Sequence, residues 1–248
     1  MNDADSLRKI AIIPVYNDIG NIVKVLAKFK DKIVDELCIV ADCATKDDLD
    51  EIGKITAKIG TPAHVISNGE RNGVGYAIKK GIEYALDNGY DVAVVMAGNN
   101  KDDPIEIPRL LKPILKEDYD YVQGSRFLPG GKRVRNPILR GFFSRLYPFI
   151  WTLFTNVRCT DVTNGFRAYR LSIFSDKRVN IWQSWLDSYQ LEYYVHYKAL
   201  TLGYKIKEVP VSKTYPYRHK GGYSKIFPPR DWWKIIGPLI YLKFGVKD

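Results

Sequence analysis

Cysteine is scarce in this chain: Cys38, Cys43 and Cys159 are the only three in 248 residues. So few thiols in so long a chain do not make a disulfide framework, and they point to a reducing compartment. Cys38 reads as a small buried apolar residue within a strand. Long apolar runs are also missing, since no stretch approaches the roughly 20 residues a membrane-spanning helix needs. The segment Met1 to Ser6 is polar and acidic and does not resemble a secretory leader. Internal repeats and low-complexity tracts are absent. Together these absences argue against a secreted disulfide scaffold and an integral membrane protein. The expected location is cytoplasmic, with peripheral contact to the inner face of the cell membrane as its extension.

The second half of the chain lacks acid. Residues 125–248 hold 7 Asp and Glu against 22 Lys and Arg, whereas residues 1–124 hold 21 against 16. The net charge of +10 is therefore carried by one half. Such asymmetry implies that the basic half meets something anionic: phosphate, acidic lipid or nucleic acid. No nucleic-acid-binding module is recognisable, so no nucleic-acid partner is expected.

The first half alternates strands and helices. Apolar strands are expected at 10–15, 37–41, 64–66, 92–96 and 119–123, and helices at 19–29, 45–59, 74–86 and 105–116. Thr45 with Asp48 resembles a capping box, and Asp103-Pro104 reads as a helix start. Repeated βα units with short links predict a parallel sheet with helices on both faces. Beyond residue 124 the pattern changes. Gly124 to Pro137 reads as a mobile Gly- and Arg-rich loop, 139–154 as an aromatic helix and 165–170 as a strand. A helix over 186–202, a final strand over 205–211, a basic loop over 215–229 and a terminal helix over 231–244 complete the chain. The expected division is an α/β half, 1–124, continuous with a basic half, 125–248.

Five segments carry chemistry. Pro14-Val15-Tyr16-Asn17-Asp18 leaves the first strand, offering a ring for packing and a carboxylate acceptor; Asp18 also reads as a helix N-cap. Asp42 ends the second strand. Arg71-Asn72-Gly73-Val74-Gly75 precedes a helix, where glycine and free N–H groups favour a diphosphate, although a plain turn explains the glycines as well. Ala97-Gly98-Asn99-Asn100-Lys101-Asp102-Asp103 follows the strand at 92–96. In the basic half stand Gly124-Ser125-Arg126-Phe127, Asp161-Val162-Thr163-Asn164-Gly165-Phe166-Arg167 and Arg218-His219-Lys220-Gly221-Gly222-Tyr223-Ser224-Lys225.

In this order and spacing the segments resemble glycosyltransferase family 2, and within it the polyprenyl- and dolichyl-phosphate mannosyl- or glucosyltransferases. The resemblance spans roughly residues 8–226. It implies the α/β GT-A fold: a Rossmann-like, mostly parallel central sheet flanked by helices, with a basic acceptor-side extension. It implies an inverting, hexosyltransferase-type enzyme that takes a sugar from a UDP- or GDP-linked donor. The acceptor would be a polyprenyl phosphate or a cell-surface glycan or glycolipid, in cell-envelope glycan biosynthesis. Pro14, Tyr16, Asp18, Asp42, Arg71, Gly73, Gly98 and Asn99 are then expected at the donor nucleotide, and Arg218, Ser224 and Lys225 at phosphate. Lys101, Arg126, Asp161 and Glu192 are expected in catalysis. A phosphate acceptor, already ionised, needs little base assistance, whereas a hydroxyl wants a carboxylate.

One departure stands out. Relatives hold a divalent metal, Mg²⁺ or Mn²⁺, with an Asp-x-Asp whose positions here are Ala97-Gly98-Asn99. Ala97 cannot ligate, and Asn99 offers only a neutral carbonyl, a poor lone ligand for a hard cation. Two readings stay open. Lys101, with Arg71, supplies positive charge in the metal's stead, or Asp102 or Asp103 holds a displaced metal. The alternative to an active enzyme is a nucleotide-sugar-binding pseudoenzyme or regulatory protein.

The helix around Phe142, Phe143, Tyr147, Phe149, Ile150, Trp151 and Phe154 carries an aromatic surplus, with Arg140 and Arg145 at its start. With Trp232, Trp233 and Lys234 it fits a membrane-surface contact. A buried subdomain helix or a homodimer seam fits equally.

Overall fold

The computed structural model describes residues 6–29, 33–135, 138–215 and 233–247, with the side chains of 138–144 and 233–235 outside the described set. Its strands are β1 (Lys9–Tyr16), β2 (Glu36–Asp42), β3 (Ala63–Asn68), β4 (Val92–Val95), β5 (Tyr121–Ser125), β6 (Lys132–Val134), β7 (Arg167–Arg170), β8 (Ile206–Pro210) and β9 (Ser212–Thr214). The helices are α1 (Ile19–Leu26), α2 (Lys46–Thr56), α3 (Val74–Asp87), α4 (Ile107–Glu117), α5 (Ile138–Thr155), α6 (Gln190–Thr201) and α7 (Trp233–Lys243).

β1 explains the layering. Ile10 and Ile12 face one core cluster, Ala11, Ile13 and Val15 the other. Successive side chains of a strand point to opposite faces, so a strand apolar at every position must be covered twice. α3 and α6 cover one face with Ala77, Ile78, Ile82, Tyr194 and Val195. α1 and α4 cover the other with Ile22, Val25, Leu110 and Ile114. Gly81 lets α3 settle directly on β1, because a Cβ there would sit 2.3 Å from Ile12 Cγ2.

The sheet runs β3-β2-β1-β4-β7-β5-β8, parallel except for β7, which lies antiparallel between β4 and β5. The mostly parallel, helix-flanked sheet expected from the sequence is present, and strands from both halves of the chain share it. Several boundaries differ. The capping box at Thr45 and Asp48 forms as expected, and Asp103 accepts from the Ile105 N–H, capping a 3-10 turn that leads into α4. The span expected as one helix over 186–202 divides into a 3-10 turn at Ser184–Leu186 and α6. The loop expected over 124–137 contains β6, which pairs in parallel with β9 as a separate two-stranded sheet. β9 itself follows the strand expected to be last. Both are three residues long, too short for periodicity to register, and their pairing joins segments 80 residues apart in sequence.

A third cluster sits around Trp151, Tyr147, Cys159 and Tyr193, closed by Leu239 of α7. Against it lies His196 of α6, which is 1% exposed. Its Nδ1 is 3.0 Å from the Tyr121 hydroxyl, and its Nε2 has no hydrogen-bond partner among the described residues. Burial, reinforced by the charge of Arg167, holds the imidazole pKa well below its ordinary value. The unfolded chain therefore takes up a proton first as pH falls. Stability present above about pH 6.5 is lost progressively below it. The melting temperature should fall on acidification from about pH 7.5 to about pH 5.5, with His196 contributing up to about 1.4 kcal/mol per pH unit. Calorimetry of His196→Gln should give a shallower dependence, and an unchanged slope would remove His196 as its source.

Candidate active site

Two groups of side chains gather at the carboxyl ends of the parallel strands, where α/β sheets deliver binding loops. The first surrounds β1, β2 and β3. Asp42, 3% exposed, accepts from the Asn68 side-chain amide (3.1 Å) and the Gly73 N–H (3.3 Å), tying β2 to β3 and to the start of α3. The Arg71 guanidinium lies over the Tyr16 ring, 4.6 Å from its centroid. Asp18 occupies the N-cap position of α1; its carboxylate accepts from the Asn21 amide (2.7 Å), and its carbonyl accepts from the helix. Pro14 accepts from the Gly98 N–H through its carbonyl (3.2 Å). A Cβ on Gly98 would come within 2.8 Å of Val15 Cγ2, so glycine lets the loop after β4 lie against β1.

The glycines at the start of α3 lie against backbone from a distant part of the chain. Gly73 has φ +103°, and a Cβ there would lie 2.4 Å from the Asp187 carbonyl oxygen. At Gly75 a Cβ would meet the Leu186 and Ser188 carbonyl oxygens at 2.0 and 2.4 Å. The Tyr76 N–H donates to the Asp187 carbonyl (3.0 Å). Backbone 186–188 thus packs on this helix end, and a carbonyl takes one of its N–H groups.

The second group surrounds Arg126, 3% exposed at the end of β5. Its Nε and Nη2 donate to the two oxygens of Asp161, each at 2.7 Å, Nη1 donates to the Tyr215 hydroxyl (2.8 Å) and Nη2 also to Thr163 Oγ1 (2.6 Å). Burial works against the guanidinium charge, but the charge and hydrogen bonds of Asp161 outweigh it and hold the pKa above its ordinary value. Asp161, fully buried, further accepts from the Arg126 and Thr163 N–H groups. Its segment is fixed from behind by Glu208 of β8, which accepts from the Thr160 and Asp161 N–H groups. Burial raises the pKa of Glu208. Glu192 of α6 lies against Gly165, where a Cβ would fall 2.4 Å from its Oε1.

Arg133 and Arg145 stand beside Arg126 around the Phe127 ring, with guanidinium carbons 4.6, 5.8 and 5.7 Å from its centroid. Burial, then repulsion from Arg145 and Arg126, lowers the pKa of Arg133. Sequence reasoning missed Arg133, Tyr215 and Lys213. A signal for Lys213 existed, because Val209, Val211, Lys213 and Tyr215 are all buried, the period of two that marks an inward face.

The loop between β4 and α4 does not present paired carboxylates to a divalent metal. Asn99 Oδ1 accepts from the Lys101 N–H (3.2 Å), Asp103 caps the following turn, and both oxygens of Asp102 accept from Lys213 (2.8 and 3.0 Å). Among the described residues no three of His, Cys, Asp and Glu converge as a metal would require. The Lys101 ammonium lies 5.8 Å from the centroid of Tyr215. Arg218, Ser224 and Lys225 lie outside the described residues.

The family model described as glycosyl transferase family 2 matches residues 10–177. Undecaprenyl-phosphate mannosyltransferase of Micrococcus luteus is 31% identical over 209 residues, covering 83% of each chain. Polyprenol monophosphomannose synthase of Mycolicibacterium smegmatis is 28% identical over 84% of this chain and 77% of its own. Among solved structures, glucosyl-3-phosphoglycerate synthase of Mycobacterium tuberculosis in complex with Mn²⁺, UDP and phosphoglyceric acid superposes with a TM-score of 0.67. It covers 100% of this chain and 82% of the other at 16% identity. The shared architecture is the GT-A fold.

The glycine contacts make a test of the local packing. Gly75→Ala should lose roughly 1–3 kcal/mol or more in urea denaturation, as overpacking does. Gly53→Ala, inside α2 with open space around the added Cβ, should gain about 0.5–1 kcal/mol. Equal effects at both positions would contradict the contact with 186–188.

Proposed function

This chain belongs to glycosyl transferase family 2, and on that premise we propose that it transfers a sugar, with inversion, from a nucleoside diphosphate to a polyprenyl phosphate. One observation carries the choice of acceptor. The arginine cluster around Phe127 continues directly into an apolar helix face. Arg145 is followed on α5 by Leu146, Phe149 and Leu153, which are 42%, 60% and 61% exposed and spaced for one face. An anionic head beside a long apolar tail is the chemistry such a surface fits. The two mannosyltransferase relatives, named for undecaprenyl phosphate and polyprenol, support the same reading.

The hydrogen bonding of Asp161 supports a phosphate acceptor over a hydroxyl. With Arg126 across both oxygens it is already engaged, so it positions the guanidinium rather than receiving a proton. An ionised phosphate oxygen can attack without a base. Arg126, Arg133 and Arg145 hold that phosphate, while Lys101 approaches the leaving diphosphate from the β4 side and stabilises its growing charge. Pro14, Tyr16, Asp18, Asp42 and Arg71 receive the nucleoside, with Gly73, Gly98 and Asn99 shaping the backbone around it. Glu192 backs the acceptor segment through Gly165. No helix among the described residues is long and apolar enough to cross a membrane, and the α5 face rests on the bilayer surface that holds the lipid.

Incubation with UDP- and GDP-sugars and a polyprenyl phosphate, read by mass spectrometry of the lipid, tests the proposal. A glycosylated lipid phosphate is expected; donor binding without product from any donor would favour the binding-protein alternative. Arg133→Ala and Arg145→Ala should each raise the acceptor KM about tenfold, the loss of one charge-assisted contact. The donor KM should stay nearly constant. In flotation on anionic vesicles the native chain should rise with the lipid, and Phe149→Ser/Leu153→Ser should remain behind while still binding nucleotide. Equal flotation would rule out this face as the membrane contact.

A further inference from the structure

β9 holds the donor loop at three successive residues. The Ser212 N–H donates to the Glu106 carboxylate (2.7 Å), the Lys213 ammonium to both oxygens of Asp102 (2.8 and 3.0 Å), and the Thr214 N–H to the Lys101 carbonyl (2.9 Å). The central contact is a closed ion pair: Asp102 is 1% exposed and Lys213 8%. Lys213 donates also to Asn164 Oδ1 (2.9 Å), and Asn164 is itself buried and anchored to the Gly124 carbonyl (2.9 Å). One ammonium thus joins the loop after β4, the acceptor segment 161–165 and the strand that precedes the basic segment 216–230.

A buried carboxylate is costly to the fold unless it is paired and hydrogen-bonded. Here the pairing is complete, and it connects the loop after β4 to segment 161–165 through Asn164. A divalent cation bridging loop carboxylates would perform the same fixing. The loop is not arranged for one: Ala97 has no ligand atom, Asn99 is turned onto the Lys101 N–H, and Asp102 is engaged by Lys213.

We infer that Lys213 is a positioning residue whose pair with Asp102 holds the donor loop ready for the nucleoside diphosphate, so that donor binding needs no divalent cation. The inference rests on the transferase reading of this site. It assigns the fixing of the loop to a contact within the chain, present before the donor arrives. Preorganisation of this kind removes the ordering cost from the binding step.

Isothermal calorimetry of UDP and GDP on the full chain, in EDTA and again with Mn²⁺, reads the prediction directly. The better-bound nucleotide should show the same Kd in both within about threefold. Lys213→Met and Asp102→Asn should weaken it about tenfold or more, while Lys213→Arg, which keeps the charge, should stay close to the native value. All variants are measured well below their melting temperatures, so a pair that merely stabilised the fold would lower the melting temperature and leave Kd unchanged. If Lys213→Met does not fold, Asp102→Asn, nearly isosteric with the native residue, carries the same comparison. Nucleotide bound only with Mn²⁺, or bound equally well when the pair is broken, overturns the inference and leaves the transferase reading standing. No binding of either nucleotide under any condition overturns that reading and the inference with it.

Discussion

Asp161 has no exposed surface, yet it carries a charge that must be balanced where it sits. Arg126 supplies the balance with two parallel hydrogen bonds of 2.7 Å, a bidentate geometry that fixes the guanidinium plane as well as its place. Thr163, Tyr215 and Glu208 are arranged around this pair. Thr163 and Tyr215 take two further donors of Arg126, and Glu208 holds the backbone of Asp161 from the neighbouring strand. Breaking such a pair leaves an uncompensated buried charge, at about 3–5 kcal/mol.

The loop after β4 and the start of α3 are seated by close backbone packing. Gly98 brings the loop after β4 onto β1, and Gly73 and Gly75 bring backbone 186–188 onto α3. The pair of Asp102 and Lys213 then joins the loop after β4 to segment 161–165 through Asn164. Part of the excess of base over acid in the second half stands in the three arginines around Phe127.

Much of the fold was legible from residue order. Apolar runs placed the strands of the first half, the capping pair Thr45 and Asp48 placed α2, and the aromatic run placed α5, because each signal is local. The two short strands β6 and β9 escaped notice, since a three-residue strand has no period to detect and exists only through its partner. Gly73 and Gly75 were legible as special positions, but what packs against them was not. A neighbouring backbone more than 100 residues later in the chain occupies that space.

The sequence by itself determined the alternation of strand and helix, the basic character of the second half, the family resemblance and the missing Asp-x-Asp. All of these are written in spacing and residue type. Only the tertiary structure decided which cations Asp102 and Asp161 meet. Asp102 and Lys213 are 111 residues apart, and Arg126 and Asp161 are 35. Whether a carboxylate is free to bind a metal or accept a proton depends on which cation the fold brings against it, and no local pattern records that.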